Sequence, residues 1–122
     1  MKRLFAIVLC SCALGMSPWR AQDHAYSGEV ALGFEMSAFS ADDGRGPWWF
    51  AVGDEGEVWR EISAPLEQHC GVTWGRVHVI AEGELSAPGE YGHLGFYERE
   101  LRVVRVRDVR FVACQGQPDR RP

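Results

Sequence analysis

The residues able to do chemistry in this chain are few and scattered. Its histidines, His24, His69, His78 and His93, include no i, i+4 pair and no His-x-His, so a zinc site would have to converge from distant segments. Asp42-Asp43 and Asp54-Glu55 lack the Asp-x-Asp-x-Asp-Gly order of a calcium loop and sit beside glycines, which reads as turn chemistry. Glu35, Glu57, Glu82 and Glu84 could supply a pair of glycosidase carboxylates, but any acidic β-protein offers as much. No metal, cofactor or catalytic residue is therefore expected. Cys70 and Cys114 belong to no Cys-x-x-Cys motif, which argues against redox work and for a disulfide in an oxidising compartment. Closing a loop of roughly 45 residues, that bond is worth about 4 kcal/mol in the chain-entropy account.

Aromatic residues carry the stronger signal. Trp48 and Trp49 are adjacent in a strand-like segment and must face opposite sides, one toward the core and one outward. An outward tryptophan can stack on a sugar or base, or simply pack beneath a loop. Glycines 89, 92 and 95 surround His93, with Tyr91, Phe96 and Tyr97 alongside, a composition suited to a loop of unusual backbone angles covering a barrel mouth. His93 then has two readings: it donates to a backbone carbonyl and pins the loop, or it is the polar contact of a ligand loop. The expected ligand face is Trp48, Trp49, Tyr91, His93 and Tyr97.

The run from Gly89 to Glu100 resembles a Gly-x-Tyr-Gly-His-Leu-Gly-x-Tyr-x-Arg-Glu signature of small exported bacterial proteins. Weaker similarity extends to Gly33-Phe34-Glu35, Phe39 and Trp48-Trp49, and Ala41 stands where that group carries a cysteine. The resemblance implies export and brings no defined activity.

Export is also written at the start of the chain. Lys2 and Arg3 precede an uncharged apolar run from Leu4 to about Leu14, too short to span a bilayer and suited to a secretory signal. Small residues at Ala13 and Gly15, or at Ser11 and Ala13, offer two cleavage sites. Leu9-Cys10-Ser11-Cys12 resembles a lipobox, which would make Cys12 a lipidated N-terminus; export without lipid is the favoured reading because Cys10 fits that motif poorly. Removing residues 1–21 takes away Lys2, Arg3 and Arg20, leaving ten basic residues against 17 acidic ones and a net charge of −7. A domain so acidic is a poor nucleic-acid ligand. The arginines at 99, 102, 105, 107 and 110 alternate with Glu98, Glu100 and Asp108 and read as a solvated strand face.

The elements that must position these residues follow from periodicity. With 46% apolar and 25% charged residues the chain has ordinary globular usage. After a polar leader at 22–27, apolar residues recur every second position from Gly28 to Phe39, giving a long strand with Gly33 as its bend. The segment 42–47 is a turn, Trp48–Val52 a strand, 53–56 another turn, and Glu57–Ile62 a third strand. Ser63-Ala64-Pro65 caps a short helix from Ala64 to Cys70; a longer helix from Glu57 competes, since Val58, Ile62 and Leu66 have helical spacing, but it would hold Pro65 in its interior. Thr73–Leu85 is a strand with Gly83 at a bulge, 86–96 a loop, and Glu98–Val112 a last strand. Leu101 and Val103 are out of phase with Val104 and Val106, so a bulge is expected between Val103 and Asp108. Residues 115–122 form a mobile tail.

Three strands, a short helix and two strands is the order of the OB-fold, and the expectation is an all-β, five-stranded Greek-key barrel with its helix between strands 3 and 4. The expected role is a non-catalytic, periplasmic or secreted binding protein for an envelope ligand or protein partner. A small envelope hydrolase and a purely structural lipoprotein are the alternatives.

Overall fold

The computed structural model describes residues 24–52 and 56–117. The signal segment 1–21 with Cys12, the acidic pair at 54 and 55, and the end of the tail lie outside the described residues. Five strands, β1 (His24–Gly33), β2 (Met36–Ala41), β3 (Trp48–Val52), β4 (Gly75–Leu85) and β5 (Glu100–Cys114), close into a ring in the order β1-β2-β3-β5-β4. One helix, α1 (Gly56–Cys70), lies between β3 and β4. The ring is antiparallel except where β3 runs parallel to β5, from Trp49 opposite Glu100 to Val52 opposite Val103. This is the OB-like Greek-key order.

Two sequence expectations fail in compensating ways. The long first strand is two strands: the chain reverses at Phe34-Glu35, so that Gly33 pairs with Met36 and Gly28 with Ala41. The inward phase switches from even to odd positions at the reversal, because the two-residue turn sets Val30 opposite Phe39 and Leu32 opposite Ser37, which leaves the in-phase Phe34 and Met36 exposed. The expected third strand at 57–62 is instead the first half of α1. Val58, Ile62, Leu66 and Cys70 follow one another at i+4 along one side of the helix, and Ile62 and Leu66 are completely buried. Burying those two side chains is worth about 1.5–3 kcal/mol each, enough to outweigh the roughly 3 kcal/mol cost of an interior Pro65. The residues 24–27 also differ from expectation, for they pair with β4 from His24 opposite Gly83 onward and belong to β1.

Inward residues fill the ring: Val30, Leu32, Phe39, Phe50, Val77, Val79, Ala81, Leu101 and Val103 are buried. Helix α1 closes one end, and Gly75 makes room for it. A Cβ there would lie 2.9 Å from Leu66 and 2.5 Å from the Ala113 carbonyl, and its φ of 153° is one that favours glycine. Cys70 at the helix end is bonded to Cys114 at the end of β5, with a Cα separation of 5.6 Å. The phase conflict in β5 is resolved by register shifts against β4, two of which leave Val104 and Arg107 as extra residues, and the shift at Gly83 matches the bulge expected there. Val104 accordingly turns out to solvent, at 61% exposure.

Candidate functional site

Strand β3 places its two tryptophans on opposite faces, as alternation requires. Trp48 points inward and is 3% exposed, its ring stacked on Phe39 and edge-on to Tyr26, each at 6.0 Å between centroids. It is a core residue, with only a sliver of its ring at the surface. Trp49 points outward, and the segment from Ser86 to Arg99 folds over it. The Tyr97 ring lies 5.4 Å from the Trp49 ring. Gly92 sits directly on the indole: a Cβ there would come within 2.4 Å of two ring atoms, and its φ of 70° is left-handed. Trp49, half-buried, thus packs beneath a loop.

The covering loop is itself ordered. Tyr91 and Tyr97 exchange backbone hydrogen bonds of 2.9 and 3.2 Å, and Gly89 donates to the Glu98 carbonyl, so the segment rises as a narrow ribbon. The Tyr91 hydroxyl donates to the Ala87 carbonyl at 2.9 Å, bracing the ribbon from the side. At its tip a single 3-10 turn, His93–Gly95, contains Leu94 at φ 54°. His93 meets Glu35, Nε2 to Oε2 at 3.1 Å. Of the two readings of His93, pinning the loop through a backbone carbonyl or contacting a ligand, neither anticipates this partner, a carboxylate on the β1–β2 turn, and Glu35 also has a left-handed φ, 53°. Two non-glycine residues held in that region cost of order 1 kcal/mol each, strain that recurs at functional sites.

The consequence is an apolar tip. Phe34 is 74% exposed, Leu94 74% and Phe96 80%, the first flanking Glu35 and the others flanking or following His93. Of these only Phe96 was legible as a loop aromatic. Phe34 shares the phase of Val30 and Leu32 and reads as core until the chain reverses around it. Of the expected face, Tyr91, His93 and Tyr97 are therefore brought together on one loop with Trp49 as its floor, while their visible chemistry is structural.

A second polar cluster lies on the barrel wall. The Ser27 hydroxyl donates to Asp42 at 2.6 Å, His78 Nε2 lies 2.9 Å from the same carboxylate, and Arg110 donates to His78 Nδ1 at 3.3 Å. These are the residue types of a nucleophilic triad in the wrong arrangement. A triad needs the imidazole between serine and carboxylate, one nitrogen to each; here Ser27 and His78 both turn to Asp42, and the second nitrogen accepts from an arginine. The cluster fastens the 42–47 loop to β1 and β4. The Ser27 and His78 hydrogen bonds hold the Asp42 carboxyl below the ordinary aspartate range, and the Arg45 backbone N–H does the same for Asp43. The β5 arginines are likewise engaged: Arg105 and Arg107 with Glu82, Arg102 with Glu100, Arg110 with Asp108.

No protein-family model, curated protein or solved structure matches this chain.

Proposed function

We propose that the protein is an exported, non-catalytic binding module that engages a protein partner in the cell envelope through Phe34, Leu94 and Phe96. The observation that carries this reading is the exposure of three large apolar side chains on two separate turns joined by the His93–Glu35 pair. Isolated exposed apolar residues are common, but a strained and braced scaffold presenting several together is the usual mark of an interaction surface. Tyr91, Tyr97 and Trp49 serve that surface from below, by fixing the loop. Export rests on the Lys2-Arg3 start and the apolar run after it, and the disulfide is in keeping with a periplasmic or secreted location.

The test is a Phe34→Ser, Phe96→Ser double variant produced in the native host beside the wild type. Both side chains are mostly in solvent, so the melting temperature should move by no more than about 2 °C. Proteins that co-purify with the wild type after crosslinking should be lost. Retention of the same partners by the double variant would remove this face from the binding site. Mass spectrometry of the mature chain separates the free form, beginning near residue 22, from an anchored form with lipid on Cys12.

A further inference from the structure

Beyond the loop tip, the other end of the barrel holds a cleft of about 340 Å³ between the 42–47 turn and the base of the Ser86–Arg99 ribbon. Arg45, Arg99, Glu98, Leu85 and an edge of Trp48 line it, together with glycines of the turn. A cleft of this size falls at the lower end of small-molecule sites.

Its polar groups are only partly satisfied from within. Arg45 is held by Nε to Asp43 at 2.8 Å, with its guanidinium centre 5.3 Å above the Trp48 ring. Arg99 gives one terminal nitrogen to the Ser86 carbonyl at 2.9 Å. Each guanidinium carries five N–H donors, so most of both forks bond no described residue. Tyr26 packs edge-on against Trp48, 8% exposed, behind the indole that lines the cleft. Burial raises the pKa of that phenol, and the charges of Arg45 and Arg99 act against the rise, which places both guanidinium groups within electrostatic reach of it.

We infer that this cleft is a binding site for a small organic monocarboxylate, its head held by Arg45 and Arg99 and its apolar body against Leu85 and Trp48. Paired guanidinium forks suit the planar, bidentate carboxylate group. Asp43 and Glu98 stand beside the arginines and oppose a second negative charge, which disfavours a phosphate dianion. Leu85 supplies the apolar contact that a bare inorganic anion could not use.

Benzoate is the probe, titrated into the isotope-labelled full-length mature protein while the Trp48 indole N–H and the Gly44 and Gly46 amides are followed by NMR. Saturable shifts with a dissociation constant on the order of 1 mM are expected. Benzyl alcohol and inorganic phosphate should shift the same signals far less. Arg45→Gln, which touches only an exposed aspartate and the face of Trp48, should weaken benzoate by about tenfold, the loss of one charge-assisted contact. Arg99→Gln should do the same, and Glu98→Gln should tighten binding. Non-saturating shifts, equal shifts from benzyl alcohol, or undiminished binding by Arg45→Gln would overturn the site; equal binding of phosphate would overturn its assignment to carboxylates. Retained Trp49 and Tyr97 signals confirm that each variant is folded.

Discussion

Substituting Gly92 by alanine tests the seating of the loop on β3. The new methyl would lie 2.4 Å from two Trp49 ring atoms and 2.8 Å from a third, where carbon–carbon contact requires about 3.5–4 Å. Either the indole or the ribbon must move by more than about 1 Å, an overpacking strain of about 1–3 kcal/mol. The left-handed φ of 70° adds about 1–2 kcal/mol for any residue with a Cβ. The sum is about 2–5 kcal/mol, or roughly 10–40 °C in melting temperature for a domain of this size. Thermal unfolding read by circular dichroism gives the total, and repeating it in a Trp49→Ala background separates the parts. Without the indole, Gly92→Ala should cost only its backbone strain, so the cycle should return the overpacking part as a coupling of about 1–3 kcal/mol. Additive effects, or a melting temperature within about 2 °C of wild type, would refute the contact between the ribbon and Trp49.

Other consequences are equally direct. Pro65→Ala returns a hydrogen-bond donor to the interior of α1 and should stabilise the protein, by up to about 3 kcal/mol in urea unfolding; a loss of stability would mean that the ring of Pro65 packs where the helix needs it. The depressed pKa of Asp42 means that its hydrogen bonds contribute stability above the unfolded-state value near 4 and lose it as pH falls through the lower folded value. Asp42→Asn should therefore lower stability near neutrality, change it little at strongly acid pH and so flatten the acid limb of the stability profile, and an unchanged acid limb would contradict the cluster with Ser27 and His78. Reduction of Cys70–Cys114 should cost about 4 kcal/mol, seen as a lower denaturation midpoint under reducing conditions, and an unmoved midpoint would contradict the bond.

Much of this architecture is legible in the chain because strand alternation is a local signal. Val77, Val79 and Ala81 face the core as their spacing predicts, and the broken phase at Val104 announces its own bulge. What escapes is whatever depends on distant partners. The turn at Phe34-Glu35 carries no glycine or asparagine to mark it; Glu35 takes a left-handed conformation there and meets His93 from another segment. Helix α1 escapes for a related reason, since Pro65 is a strong local stop that only the burial of Ile62 and Leu66 against the barrel overrides. Trp48 and Trp49 were separable by alternation, but which one would be covered depends on a ribbon that begins 37 residues after Trp49, at Ser86.

A photo-crosslinking residue placed at Phe96 in the native host measures most directly what the apolar tip does. Discrete adducts with one partner should form there and at Phe34, and should be absent when the same residue replaces Arg60 on the exposed side of α1. Adducts equally abundant at position 60, or none at 34 and 96, would contradict the assignment of the tip as the binding surface.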